Sequence, residues 1–157
     1  AFPKDGLSDG VIAAIRIVQA AYVRGAMGAV AERPVLGSWQ ALLDYLRADM
    51  ADLRHERVRT LYLDARNHLL RDELMSEGSV DQSAIYVREV LKRALELGAS
   101  SLILVHNHPS GDVSPSRQDI AITREIVDAC KRVSIAVHDH IIIGRNGHSS
   151  MKAAGLI

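Results

Sequence analysis

The 157-residue sequence predicts an α/β fold, a mixed β-sheet flanked by helices on both faces. Two observations lead there. Segments with apolar residues at helical spacing alternate with short apolar runs, in the order α-α-β-β-α-β-α-β, and that order builds layered α/β domains. Apolar residues make up 48% and charged residues 24%, the balance of a globular chain that buries a single core. No internal repeat or low-complexity tract competes with this reading.

A first helix is expected over residues 7–31. Ser8 or Asp9 caps its start, and Val11, Ile12, Ile15, Val18 and Tyr22 form one apolar stripe. Pro34 interrupts it. Ser38 then reads as the N-cap of a second helix holding Leu42, Leu43, Tyr45 and Leu46, with Trp39 as a packing anchor. Strands follow over 58–63 and 68–74, joined by the turn Asp64-Ala65-Arg66-Asn67. The first of these offers an edge for pairing with another chain. A helix over 87–97 carries Val87, Val90, Leu91 and Ala94 on one side and closes at Gly98. The run Leu102-Ile103-Leu104-Val105 is uninterrupted by polar residues, as in a strand covered on both faces. Ser114 and Pro115 read as the N-cap and first position of a helix containing Ile122, Ile126, Val127 and Cys130. A last apolar strand spans 135–143, and the turn signal Asn146-Gly147 follows it.

Chemistry concentrates in H-N-H-P-S-G-D-V-S-P-S-R-Q-D, from His106 to Asp119. His106 and His108 close the buried strand and, two residues apart, point to the same side, while Asn107 points to the other. Pro109, Gly111 and Pro115 make a loop that brings the next helix back toward the histidines. The opening turn of that helix sets Ser116 and Asp119 on one face. Two imidazoles and one carboxylate make a three-ligand site with a fourth position open, the pattern of catalytic zinc. Ser116 and Asp119 fit a helix-capping box equally well, and the residues alone leave both readings open. A second H-x-H, His138 and His140, lies on one strand face. There one histidine binds the metal itself, supports a metal ligand through its other N–H, or is a satisfied core or strand-end residue. His55, His68 and His148 fall in turn-like contexts and read as surface residues.

Composition excludes several classes. The 19 basic and 19 acidic residues cancel, which gives no support to a nucleic-acid partner. Arg54, Arg57, Arg59, Arg66 and Arg71 read as the solvated surface of the hairpin. The single cysteine, Cys130, excludes an internal disulfide and a Cys-rich metal site and fits a reducing setting. No apolar run is seen to approach the roughly 20 residues of a membrane span, and no signal peptide opens the chain. A cytoplasmic location without a membrane partner is therefore expected. The chain starts at Ala1 without a methionine, as an excised piece of a longer protein does.

The pattern H-x-H-P, six residues, then S-x-x-D resembles the JAMM motif of MPN-domain metalloproteases, and His106, His108, Pro109, Ser116 and Asp119 all fit it. The segments V-R-E-V-L-K-R-A-L-E-L-G-A-S-S-L-I-L-V-H-N-H-P-S-G-D and V-H-D-H-I-I-I-G resemble, more narrowly, the bacterial RadC family, long labelled as DNA repair proteins. The resemblance extends over roughly residues 35–157. Residues 1–34 resemble the tail of the helical region that precedes the JAMM domain in that family, without an intact helix-hairpin-helix.

This resemblance implies a JAMM/MPN, cytidine deaminase-like architecture. It implies zinc (Zn2+) held by His106, His108 and Asp119, and Ser116 hydrogen-bonded to the developing oxyanion or the water. A glutamate from an earlier strand is implied as general base, with Glu73, Glu77 and Glu89 as candidates. Glu73 is the expected base, because it ends the hairpin's second strand and precedes Gly78 as the family's glutamate precedes a glycine. Glu77 borders the turn, and Glu89 is already explained by the helix dipole.

The expectation is a zinc-dependent metallohydrolase, a metallopeptidase or isopeptidase with a protein or peptide substrate. Two other classes stand beside it. A metal-dependent nuclease or phosphodiesterase would suit the repair label but not the neutral charge or the ligand count for a single metal. A non-catalytic interaction module would keep the fold without needing the full motif. Large (β/α)-barrel hydrolases also use H-x-H, but this chain is short for their roughly 200-residue minimum.

Overall fold

The computed structural model describes residues 8–31, 34–78 and 85–157. Residues 1–7, 32–33 and 79–84 lie outside it, among them the first residue of the helix expected over 7–31. The described elements are α1 (Asp9–Ala31), α2 (Trp39–Met50), β1 (Glu56–Leu63), β2 (Leu69–Gly78), α3 (Val87–Glu96), β3 (Ser101–Asn107), α4 (Arg117–Arg132), β4 (Ala136–Gly144) and β5 (Gly147–Ser150). One sheet holds the strands in the order β2-β1-β3-β4-β5. β1 pairs antiparallel with β2 and β3, and β4 pairs antiparallel with β5. β3 and β4 are parallel, with α4 as the crossover that a parallel pair requires. The sheet is therefore mixed, as expected.

Helices cover both faces. All seven residues of β3 are buried, and they alternate between two cores. Ile103 and Val105 join Leu61, Leu63, Ile141 and Ile143 under α1 and α2. Leu102 and Leu104 join Tyr62 under α3 and α4, which contribute Val90, Ala94, Ile126 and Cys130. Continuing the alternation puts His106 at the end of the α3–α4 face and Asn107 at the end of the other.

Several expectations are corrected. β1 is an interior strand, paired on both sides; β2 and β5 are the edges. β5 has no counterpart in the sequence reading beyond the turn at Asn146-Gly147. Ser114 and Pro115 precede α4, and its N-cap is Ser116, because Asp119 at the third helical position can answer Ser116 reciprocally. Ser38 does occupy the N-cap position of α2, but its hydroxyl donates to Pro34 O (2.8 Å) around the 3-10 turn Val35–Ser38.

On α1 the expected stripe is displaced: Val11, Val18 and Tyr22 are exposed, and Val23, Ala26 and Met27 pack on the core. The stretch Asp9–Gly28 is long and apolar enough to cross a membrane, with a mean hydropathy of 1.2. This overturns the reading that no run approaches a span, although core helices of soluble proteins pass the same test.

Candidate metal centre

The loop after β3 is built to turn α4 back onto the histidines. His108 N donates to Ile143 O (2.9 Å), and Gly111 N donates to His108 O (3.0 Å). Gly111 has φ +89°, a conformation that favours glycine. At the end of β4, Gly144 leaves room for this loop. A Cβ there would stand 2.6 Å from Val113 Cγ1 and 2.8 Å from Gly111 O. Ser149 Oγ on β5 donates to Val113 O (2.5 Å) and ties the loop to the sheet edge.

At the start of α4, Ser116 Oγ accepts from Asp119 N (3.0 Å) and Asp119 Oδ2 accepts from Ser116 N (2.7 Å). The capping box and the metal reading thus turn out to be one arrangement, because the box aims the carboxylate. Asp119 Oδ1 lies 3.5 Å from His106 Nε2, Asp119 Oδ2 lies 3.7 Å from His108 Nε2, and the two Nε2 atoms are 2.9 Å apart. Zinc takes such ligands at about 2.0–2.2 Å, so tetrahedral ligand atoms stand roughly 3.3 Å from one another. The three separations bracket that spacing. Proton positions point the same way. His108 Nδ1 is 2.6 Å from Asp112 O, and a carbonyl only accepts, so Nδ1 carries the proton and Nε2 of the neutral ring is a lone pair. The His106, His108 and Asp119 donor set could hold a metal ion.

The electrostatics match. Burial alone would raise Asp119, but the nearness of His108 and His106 and the bonds with Ser116 hold its carboxyl well below the usual range. Burial pushes His106 down to about 4 against the pull of Asp119, which keeps the ring neutral. Asp119 beside it raises His108 in spite of its burial, so the site favours positive charge there.

His138 and His140 do not act as a pair. Leu102 pairs with Val137 but Ile103 pairs with Asp139, so His138 is an extra residue in β4, a β-bulge. His138 Nε2 meets Asn67 Oδ1 (2.8 Å) at the β1–β2 turn. Past the bulge, His140 lies opposite Leu104, on the face that ends in His106. Its Nε2 is 2.7 Å from His106 Nδ1, and its Nδ1 is 2.6 Å from Thr123 Oγ1 on α4. Burial, then the neighbouring His106, pushes His140 well below the ordinary histidine value.

The structure places Glu73, the expected base, and the two alternatives in ion pairs. Glu73 lies opposite Thr60 on the edge strand β2, with Oε2 2.6 Å from Arg93 Nε. Glu77 pairs with His55 (2.5 Å) and Arg57 (2.8 Å), and Glu89 with Arg88 (3.4 Å). None of the three lines the cleft of about 720 Å³ that holds the histidines; Glu56 does. Val58 is in register with His106, so Glu56, two residues back on the same face, falls beside His108. Partial burial raises the Glu56 carboxyl, with His108 opposing and Asp119 adding to the shift. Glu73 is displaced by four residues along the sheet, ~13 Å at strand spacing.

Extending the strand period back from Tyr62, Thr60 and Val58 puts Glu56 on their face, but only the pairing of β1 with β3 brings it to His108. Asn107, on the other face, sets its direction. Asn107 Oδ1 accepts from Arg57 N (2.8 Å) and Nδ2 donates to His55 O (3.0 Å), holding the backbone on either side of Glu56.

Comparison with known proteins agrees with this architecture. A family model described as "RadC-like JAB domain" matches residues 36–156. A Rhodobacter capsulatus protein named "UPF0758 protein" is 49% identical over 152 residues, 97% of this chain and 71% of the relative. That alignment runs beyond the matched domain into α1.

Proposed function

The chain belongs to the RadC-like JAB domain family, and from that premise we propose that it is a zinc-dependent hydrolase of the JAMM/MPN type that cleaves an amide bond in a protein or peptide. The observation that carries the proposal is the convergence of three acceptor atoms, from His106, His108 and Asp119, in the same cleft as Glu56. When bound there, zinc supplies Lewis acidity, bringing the pKa of water toward neutrality and polarising a carbonyl.

This chain's own residues do the rest. Glu56, held near His108 by the start of β1, takes a proton from the attacking water and returns it to the leaving amine. A raised carboxyl pKa suits both halves of that task. Ser116 Oγ uses its lone pair for Asp119 N, which leaves its hydrogen to donate to the developing oxyanion. Val58, Ile85 and Ile122 give the cleft an apolar wall against which a substrate side chain can order.

The lining also favours peptide over nucleic acid. It includes Glu56 and Glu125, and no Lys or Arg is among the described lining residues, so a phosphodiester backbone would meet negative charge. A reducing, cytoplasmic setting belongs to the same proposal, supported by the buried free thiol of Cys130. The test is to give the zinc-loaded chain a peptide and isopeptide library beside single- and double-stranded DNA, with Glu56→Gln as control. Amide cleavage that disappears in the variant is expected. Cleavage of DNA alone would replace the proposal with a nuclease, and no turnover of any substrate would favour an interaction module.

A further inference from the structure

His140 and Thr123 have no part in the chemistry above, yet both are sealed in the protein, at 3% and 0% exposure. Their hydrogen bonds can be ordered from one fixed point. Thr123 Oγ1 lies 2.5 Å from Asp119 O, and a carbonyl only accepts, so the hydroxyl hydrogen is committed to Asp119. Oγ1 must then accept from His140 Nδ1, 2.6 Å away, which fixes a proton on that nitrogen. Buried against His106 and Thr123 with no carboxylate hydrogen-bonded to its ring, His140 is neutral and has no second proton. Its Nε2 therefore accepts from His106 Nδ1, 2.7 Å away. With its own proton on Nδ1, neutral His106 offers a lone pair at Nε2, facing His108 and Asp119.

We propose that His140 and Thr123 are positioning residues that lock His106 into the tautomer able to bind a metal through Nε2. The proposal rests on the metal reading and adds to it the part of the fold that prepares the ligand. The relay starts at the main chain of Asp119 and ends facing the side chain of Asp119, so one residue of α4 both anchors the proton order and shares the metal. The bulge at His138 is what makes this possible. In an unbroken register Asp139 would stand opposite Leu104, and a carboxylate would face His106 in place of an imidazole. Partners of this kind orient metal-bound histidines and set their basicity.

The test uses the full chain, ¹⁵N-labelled and stripped with a chelator, and its Thr123→Val and Thr123→Ser variants. Nitrogen shifts of the His106 ring, read at pH 8, report which nitrogen carries the proton. Zinc affinity is then measured by competition with a chromophoric chelator. Wild type is expected to show His106 protonated at Nδ1 before zinc is added. Thr123→Val should lose that signature and bind zinc about 10–100-fold more weakly. Thr123→Ser, which keeps the hydroxyl, should restore both.

A wild-type His106 protonated at Nε2 would overturn the relay. So would a Thr123→Val protein with unchanged tautomer and affinity. If Thr123→Val does not fold, the wild-type and Thr123→Ser tautomers decide the matter. The Nδ1-protonated form in a chain that takes no zinc would leave the relay standing and overturn the metal reading instead.

Discussion

On the β1–β2 side of the sheet Asp72, Glu73 and Glu77 each meet a guanidinium, whereas Asp119 meets two imidazole nitrogens. Asp72 Oδ1 is 2.8 Å from Arg59 Nε, and Asp72 Oδ2 accepts from Tyr45 OH at 2.5 Å. Burial and Asp72 raise the Tyr45 phenol, so it remains a donor. Arg59 also pairs with Asp49, Arg57 with Glu77, and Arg93 with Glu73. Around Asp119 the acceptors converge and no arginine or lysine joins them among the described cleft residues. A carboxylate's partner, more than its strand or its burial, separates a structural group from a site that calls for a cation. Glu73 belongs to the first kind and Asp119 to the second.

The largest effect should come from removing a ligand. Asp119→Ala is expected to weaken zinc binding by more than the roughly 100-fold that a supporting residue is worth, and metal analysis after gel filtration would show the chain empty. Retained stoichiometric zinc would erase the distinction between the two clusters. Next, Glu56→Gln should lower turnover by about 10²–10⁴-fold while zinc stays bound, and Glu73→Gln should turn over normally. The opposite ranking in a peptide assay would return the base to β2.

Arg59→Met should act on the fold alone. It strands Asp72, whose side chain is 3% exposed, and is expected to cost about 3–5 kcal/mol in urea unfolding with zinc affinity unchanged. A smaller loss, about 1 kcal/mol, is expected for Ser116→Ala, which removes the cap of α4. That variant should change zinc affinity far less than Asp119→Ala does, because Ser116 N still holds the Asp119 carboxylate, and a chelator titration would check this. Smallest is the stability change in Glu73→Gln, about 0–1 kcal/mol, since both partners of the Arg93 pair are about one-third exposed.

What could be read in the sequence was what local spacing determines. The run Leu102 to Val105 placed a buried strand, H-x-H placed two imidazoles on one side, and S-x-x-D placed a carboxylate in a helix's first turn. Features set by pairing between distant segments were not legible. Glu56 reaches the site only through the register of β1 with β3. His140 does so only because His138 is extra, and strict alternation predicted a shared face for the two. Arg57 and Arg59 looked like solvated hairpin surface because their partner Asp49 lies on α2, outside the hairpin. Gly144 carried no signal of its own, since its role appears only when the loop at Gly111 packs against it.

The central claim is that the two imidazoles and the carboxylate converge on one divalent cation. Anomalous scattering at the zinc edge, from crystals of the zinc-loaded chain, tests it most directly. One peak is expected, about 2.0–2.2 Å from His106 Nε2, His108 Nε2 and an Asp119 carboxylate oxygen. Fully loaded crystals with no peak between these three residues, or with zinc bound only elsewhere, would contradict it.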